Sequence, residues 1–163
     1  MIILGIDPGL SGALAFFHVE KGHLSIVDMP TVEVIRNNKK KNEINAGALA
    51  HIIKVAQAED TIHATLERVG AMPGQGVTSM FSMGRSVGII EGVLATLEIP
   101  VTITAPKSWQ KMANVRDGKD GSRLRATELF PAYAGLFARK KDNGRSDAAL
   151  IAWAGLQVAK SNP

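Results

Sequence analysis

The chain has 163 residues, enough for one domain with an adequate core, and its composition (45% hydrophobic, 21% charged) is that of an ordinary globular protein. It holds no cysteine, which excludes disulfides, zinc–thiolate sites and cysteine nucleophiles and suits a reducing compartment. The net charge of +4 is uneven: residues 1–100 carry 8 Lys/Arg against 10 Asp/Glu, residues 101–163 carry 11 against 5.

Ile2–Ile6 is short, apolar and β-branched, and predicts a buried strand. Asp7-Pro8-Gly9-Leu10-Ser11-Gly12 follows as a turn. Strands are expected over Ala13–Val19 and Leu24–Met29, which completes an antiparallel meander. Asn37 to Asn42, with Lys39, Lys40 and Lys41 inside, predicts a polar loop. Asn45 is placed to cap a helix to about Glu59, with Leu49, Ile52, Ile53 and Ala56 on one face. Thr61–Glu67 predicts a fourth strand and Val69–Gly76 an open loop.

A long helix is expected from Val77 to Leu97, because Met80, Phe81, Val87, Ile90, Leu94 and Leu97 recur at helical spacing. Its Gly84, Gly88 and Gly92 lie four apart and suit close backbone packing, either within the fold or at an interface. Pro100–Thr104 predicts a fifth strand, Pro106–Met112 and Ser122–Leu129 short helices. Ser146 is expected to cap a last helix ending near Lys160. The pattern predicts an α/β fold with a mixed five-stranded sheet flanked by helices over residues 1–163, and strand order is left open. The apolar opening is too short for a signal sequence and no stretch is long enough to span a bilayer, so a cytoplasmic protein is expected.

Three acids stand at element boundaries: Asp7 after the first strand, Glu67 ending the fourth, Asp147 opening the last helix. Carboxylates at strand ends project from the sheet edge where open α/β sheets place ligands. Several together repel unless a cation joins them, and a hard divalent metal prefers oxygen ligands. With a basic chain this suggests phosphoryl transfer on nucleic acid. Gly5-Ile6-Asp7-Pro8-Gly9-Leu10-Ser11-Gly12 resembles the opening motif of RuvC-type Holliday junction resolvases and of their phage and prophage relatives. The resemblance continues through Met72-Pro73-Gly74-Gln75-Gly76-Val77-Thr78-Ser79-Met80-Phe81, Ala105-Pro106-Lys107-Ser108-Trp109-Gln110-Lys111 and Lys140-Lys141-Asp142-Asn143-Gly144-Arg145-Ser146-Asp147-Ala148.

The resemblance implies a ribonuclease H-like fold, a homodimer, two Mg²⁺ ions (Mn²⁺ substituting) and paired symmetric nicks in a four-way DNA junction, leaving 5′-phosphate and 3′-hydroxyl ends. It implies metal binding by Asp7, Glu67 and Asp147. RuvC-type enzymes usually place another acid or His three positions before the final Asp. That position is Gly144 here, and Asp142 is the candidate substitute. No histidine has metal spacing, so water is the expected nucleophile. Lys107 is a candidate to orient it or neutralise phosphate, against the plain reading of a solvated helix-start lysine. Phosphate candidates are Arg85, Lys111, Arg116, Lys119, Arg123, Arg125, Lys140, Lys141 and Arg145, with Arg139 beside them. Lys39–Lys41 is either a further contact or a solubilising loop. Phe81 is either a wedge between bases at the crossover or a core residue. A broader flap or three-way nuclease and a non-catalytic junction-binding protein are the competing expectations. An actin-like or sugar-kinase ATPase shares the opening motif, but the chain is short for a duplicated domain and shows no second phosphate loop, so no nucleotide cofactor is expected.

Overall fold

A computed structural model describes residues 1–36, 38–71 and 73–161. Strand β1 (Ile2–Ile6) is buried along its whole length because both faces of the sheet are covered. It pairs antiparallel with β2 (Ala13–His18), which pairs antiparallel with β3 (His23–Asp28). On its other side β1 runs parallel to β6 (Ile62–Glu67), and β6 parallel to β7 (Val101–Thr104). The sheet order is β3-β2-β1-β6-β7, the mixed five-stranded sheet expected.

The period of two along β1 and β2 sorts the core into two layers. Ile3, Ala13, Ala15 and Phe17 face the last helix, α5 (Asn143–Ser161), together with Trp109, Phe130 and Phe137. Ile2, Leu4, Ile6, Leu14 and Phe16 face α1 (Ala46–Glu59) and α2 (Val77–Thr96), against Leu49, Ile53, Ile90 and Leu94. Asn45 caps α1 as expected, its Oδ1 accepting from the Ala48 N–H at 3.0 Å. Gly5 lies on the α5 side, where a Cβ would collide with the Ala148 carbonyl and the Ala152 backbone. Its missing side chain lets α5 lie directly on β1. Between β7 and α5 come α3 (Pro106–Met112), α4 (Gly121–Leu129) and two short 3₁₀ segments, Pro131–Phe137 and Lys140–Asp142.

Two expectations are corrected. Most of the polar stretch read as a loop is strand: β4 (Thr31–Arg36) and β5 (Lys39–Ile44) form a separate antiparallel hairpin, Arg36 opposite Lys39. Asn38 turns it with φ at +56°, a conformation asparagine tolerates. Asn37, where that loop was expected to begin, and Met72 of the Gly-rich motif lie outside the described residues. Secondly, α5 begins at Asn143, so Ser146 is inside it. Its hydroxyl donates back to the Asp142 carbonyl at 3.2 Å instead of capping. Among the described residues no helix is long and apolar enough to cross a membrane.

Candidate active site

The parallel register puts Ile6 opposite Leu66, so Asp7 and Glu67 leave adjacent strands side by side at one sheet edge. The close approach of α5 to β1 brings Asp147, one turn into the helix, to the same place. Each of the three is half-buried. Burial, reinforced by the charges of Asp147 and Glu67, pushes the Asp7 carboxyl up to about 7, against an opposing hydrogen bond from the Gly9 N–H at 3.3 Å. Burial likewise raises Asp147 to about 6, with the Glu67 charge adding and the Ser122 hydroxyl opposing. Glu67 is raised by burial, partly offset by the Trp109 indole, which donates to its Oε1 at 3.0 Å.

Among the described residues no three such side chains are already closed around a common point as a metal cluster. The donor set nevertheless fits hard divalent cations. All the donors are carboxylate oxygens, the anions destabilise one another, and the buried Oδ1 of Asp147 has no hydrogen-bond partner. Mutual repulsion and an orphaned anionic oxygen are what a cation would relieve.

Asp142 is not brought into this cluster. It is 2% exposed and accepts from the Arg139 backbone N–H at 2.9 Å, from Arg139 Nε at 3.0 Å and from Arg139 Nη2 at 2.8 Å. These bonds hold its carboxyl down to about 2. Arg145 stands 3.6 Å from the same carboxylate and donates twice to Asp28, each at 2.6 Å. Asp142 thus belongs to an ion-pair chain that ties the start of α5 to the end of β3. The space three residues before Asp147 is closed as well. A side chain on Gly144 would run into the Ser11 carbonyl, with Asp7 Oδ2 at 3.2 Å.

The basic candidates divide. Lys107, Lys111, Lys119, Lys140 and Lys141 are exposed, and Arg116 is exposed with an ion pair to Glu128 at 3.0 Å. Arg123 donates to Asp120 and to the Phe137 and Ala138 carbonyls. Arg125 donates to the Ala113 carbonyl at 2.6 Å and to Glu128 at 2.9 Å. Together with Arg145, these arginines brace the fold, so their donors are largely committed within the protein. Phe81 is 73% exposed, which answers the core alternative: it is not packed inside. Arg85 pairs with Glu43 of β5 at 3.0 Å. His63 is satisfied by Thr102 at 2.9 Å, in keeping with a structural histidine. Sequence reasoning missed Trp109 as a partner of Glu67 and Arg139 as the partner of Asp142. The second carried a local signal, an Arg three residues before an Asp. The first carried none, because 42 residues separate the pair.

No family model matches the chain. Over 90 residues, 51% of its length, it is 36% identical to the chloroplastic Holliday junction resolvase MOC1 of Chlamydomonas reinhardtii, and it spans 10% of that protein's length. The structure of T. thermophilus RuvC in complex with a Holliday junction substrate superposes with a TM-score of 0.64 at 16% identity, covering 99% of this chain and 96% of that one. A further Thermus thermophilus RuvC structure gives 0.62 at the same identity and coverage. The chain has the ribonuclease H-like fold of RuvC, and half of it is related in sequence to a Holliday junction resolvase.

Proposed function

We propose that this chain is a divalent-metal-dependent endonuclease that resolves four-way DNA junctions by paired nicks, working as a homodimer. The observation that carries the reading is the convergence of Asp7, Glu67 and Asp147 at one sheet edge, with burial and mutual repulsion raising the affinity of Asp7 and Asp147 for a positive charge. Asp7, Glu67 and Asp147 would hold the ions, Mg²⁺ with Mn²⁺ as substitute. Such ions supply activation of water and neutralisation of the leaving 3′ oxygen, leaving 5′-phosphate and 3′-hydroxyl ends.

The chain's own residues do the rest. Trp109 fixes one oxygen of Glu67 and leaves the other for a ligand. Lys107, exposed at the start of the same helix as Trp109, would neutralise the scissile phosphate. Lys111, Arg116, Lys119, Lys140 and Lys141 supply the exposed cations for backbone phosphates. Exposed Phe81 supplies a stacking face. Gly84, Gly88 and Gly92 have nothing near the position a Cβ would take, so this face of α2 is open to the same helix of a second copy.

The test is cleavage of a synthetic four-way junction beside a matched linear duplex, in Mg²⁺ and in EDTA, with Asp7→Asn as control. Paired nicks near the crossover, dependent on metal and on Asp7, are expected. Equal rates on junction, three-way, flap and linear DNA would replace junction resolution with a broader nuclease activity. Tight junction binding without any cut would leave a binding protein.

A further inference from the structure

Along the chain His18 and His23 have no metal-binding spacing, but the β2–β3 hairpin makes them neighbours. The antiparallel register sets His18 directly opposite His23, and their ring centroids lie 5.6 Å apart with the planes at 68°. Opposed residues on one face of an antiparallel pair are the closest side-chain neighbours a sheet provides. Two imidazoles bound to one tetrahedral ion, each nitrogen about 2.1 Å from the metal, have centroids roughly 5 Å apart. A small side-chain rotation closes the difference.

The surroundings favour a ligand pair over simple stacking. His18 is only 9% exposed, yet among the described residues neither its ring nor that of His23 has a hydrogen-bond partner, whereas His63 is satisfied by Thr102. His23 is exposed and leaves the pair open to solvent. Its ring is steadied from outside by Tyr133, edge-on at 6.0 Å, whose hydroxyl accepts from the Leu24 N–H at 3.1 Å. We propose that His18 and His23 form a second metal site, selective for a borderline transition ion of the Zn²⁺ class, with water completing the coordination. Imidazole pairs suit Zn²⁺, Ni²⁺ and Cu²⁺, while Mg²⁺ prefers oxygen. His18 lies opposite Ile2, at the far end of β1 from Asp7 and roughly 16 Å along the strand from it. The site is therefore separate from the carboxylate cluster and does not rest on the nuclease reading. A bound ion clamps the two strands of the hairpin together.

The experiment is a Zn²⁺ titration of the full, ¹⁵N-labelled chain, read from the histidine ring resonances, with exposed His51 as the lone-imidazole control. The rings of His18 and His23 are expected to shift together and saturate before His51 responds, while Mg²⁺ moves neither. His23→Gln changes an exposed position and leaves the core alone. It is expected to weaken Zn²⁺ binding at His18 on the order of tenfold or more, because the second ligand is no longer held at high effective concentration. The same change should remove the rise in melting temperature that Zn²⁺ gives at this site. If His18 and His23 respond no earlier than His51, or if His23→Gln leaves the response of His18 unaltered, the pair is aromatic packing alone and the assignment is overturned. Zn²⁺ taken up only at the carboxylates would leave both rings unmoved and would overturn it equally.

Discussion

The indole N–H of Trp109 donates to Oε1 of Glu67 at 3.0 Å, from a side chain only 1% exposed. A buried donor on a carboxylate fixes its rotamer and supports the anion, the arrangement that orients a metal ligand from outside its coordination sphere. Trp109→Phe keeps most of the packing and removes the bond. About a 10–100-fold loss in metal affinity or cleavage rate is expected. The check is a metal titration of the cleavage rate: the half-saturating concentration should rise, and excess metal should restore part of the rate. A variant that merely unfolded would show a lower melting temperature with no such rescue.

Asp7 and Asp147 carry carboxyls raised to about 7 and about 6. Between their ordinary values near 4 and these raised ones, the folded protein binds more protons than the unfolded chain. Without metal, stability therefore falls as pH rises through this window. Divalent cations bind the ionised forms, so Mg²⁺ affinity should rise over the same range. Melting temperature against pH, with and without Mg²⁺, checks both signs. Asp7→Asn should flatten the metal-free curve, raise stability at pH 8 and abolish the stabilisation by Mg²⁺.

Asp142→Asn separates a brace from a ligand. Arg139 and Arg145 surround the carboxylate, which therefore contributes stability above the ordinary aspartate range and loses it as pH falls through about 2. The substitution should lower the melting temperature at neutral pH and leave the half-saturating Mg²⁺ concentration for cleavage unchanged. A large rise in that concentration would assign Asp142 to the proposed metal site instead.

Gly144→Asp places an acid at the position where RuvC-type enzymes usually carry one, and it should not improve this protein. Its Cβ would press on the Ser11 carbonyl and its charge would sit beside Asp7. Overpacking of this kind costs about 1–3 kcal/mol, and moving the start of α5 displaces Asp147. Urea unfolding should show the loss and the junction assay a lower rate. Gly144→Ala should share the stability loss, because the collision is with Cβ itself.

The strands, the capped helix at Asn45 and the three acids were legible because each is written locally. Five apolar residues bounded by Asp-Pro-Gly, an Asn before an apolar stripe, and carboxylates at element boundaries each carry their own physical signal. The hairpin left a fainter trace. Thr31-Val32-Glu33-Val34 alternates and Asn38 turns, but Lys39-Lys40-Lys41 has no apolar face to mark it as a strand, since little of it is buried.

What the sequence by itself determined was the order and type of most elements and the three boundary carboxylates Asp7, Glu67 and Asp147, all properties of neighbouring residues. Tertiary structure alone decided which charges are available for a ligand. Arg123, Arg125 and Arg145 look like Lys107 and Lys140 on the page, yet their guanidiniums are committed to carbonyls and carboxylates within the fold, while the lysines are exposed. Asp142 and Asp147 are five residues apart on one stretch of chain, yet one is neutralised by Arg139 and the other keeps an orphaned oxygen beside Asp7 and Glu67. Ionic partners are chosen by proximity in space, and that proximity is set by the packing of α5 on β1 through Gly5 and on the turn after β1 through Gly144, contacts between segments more than a hundred residues apart.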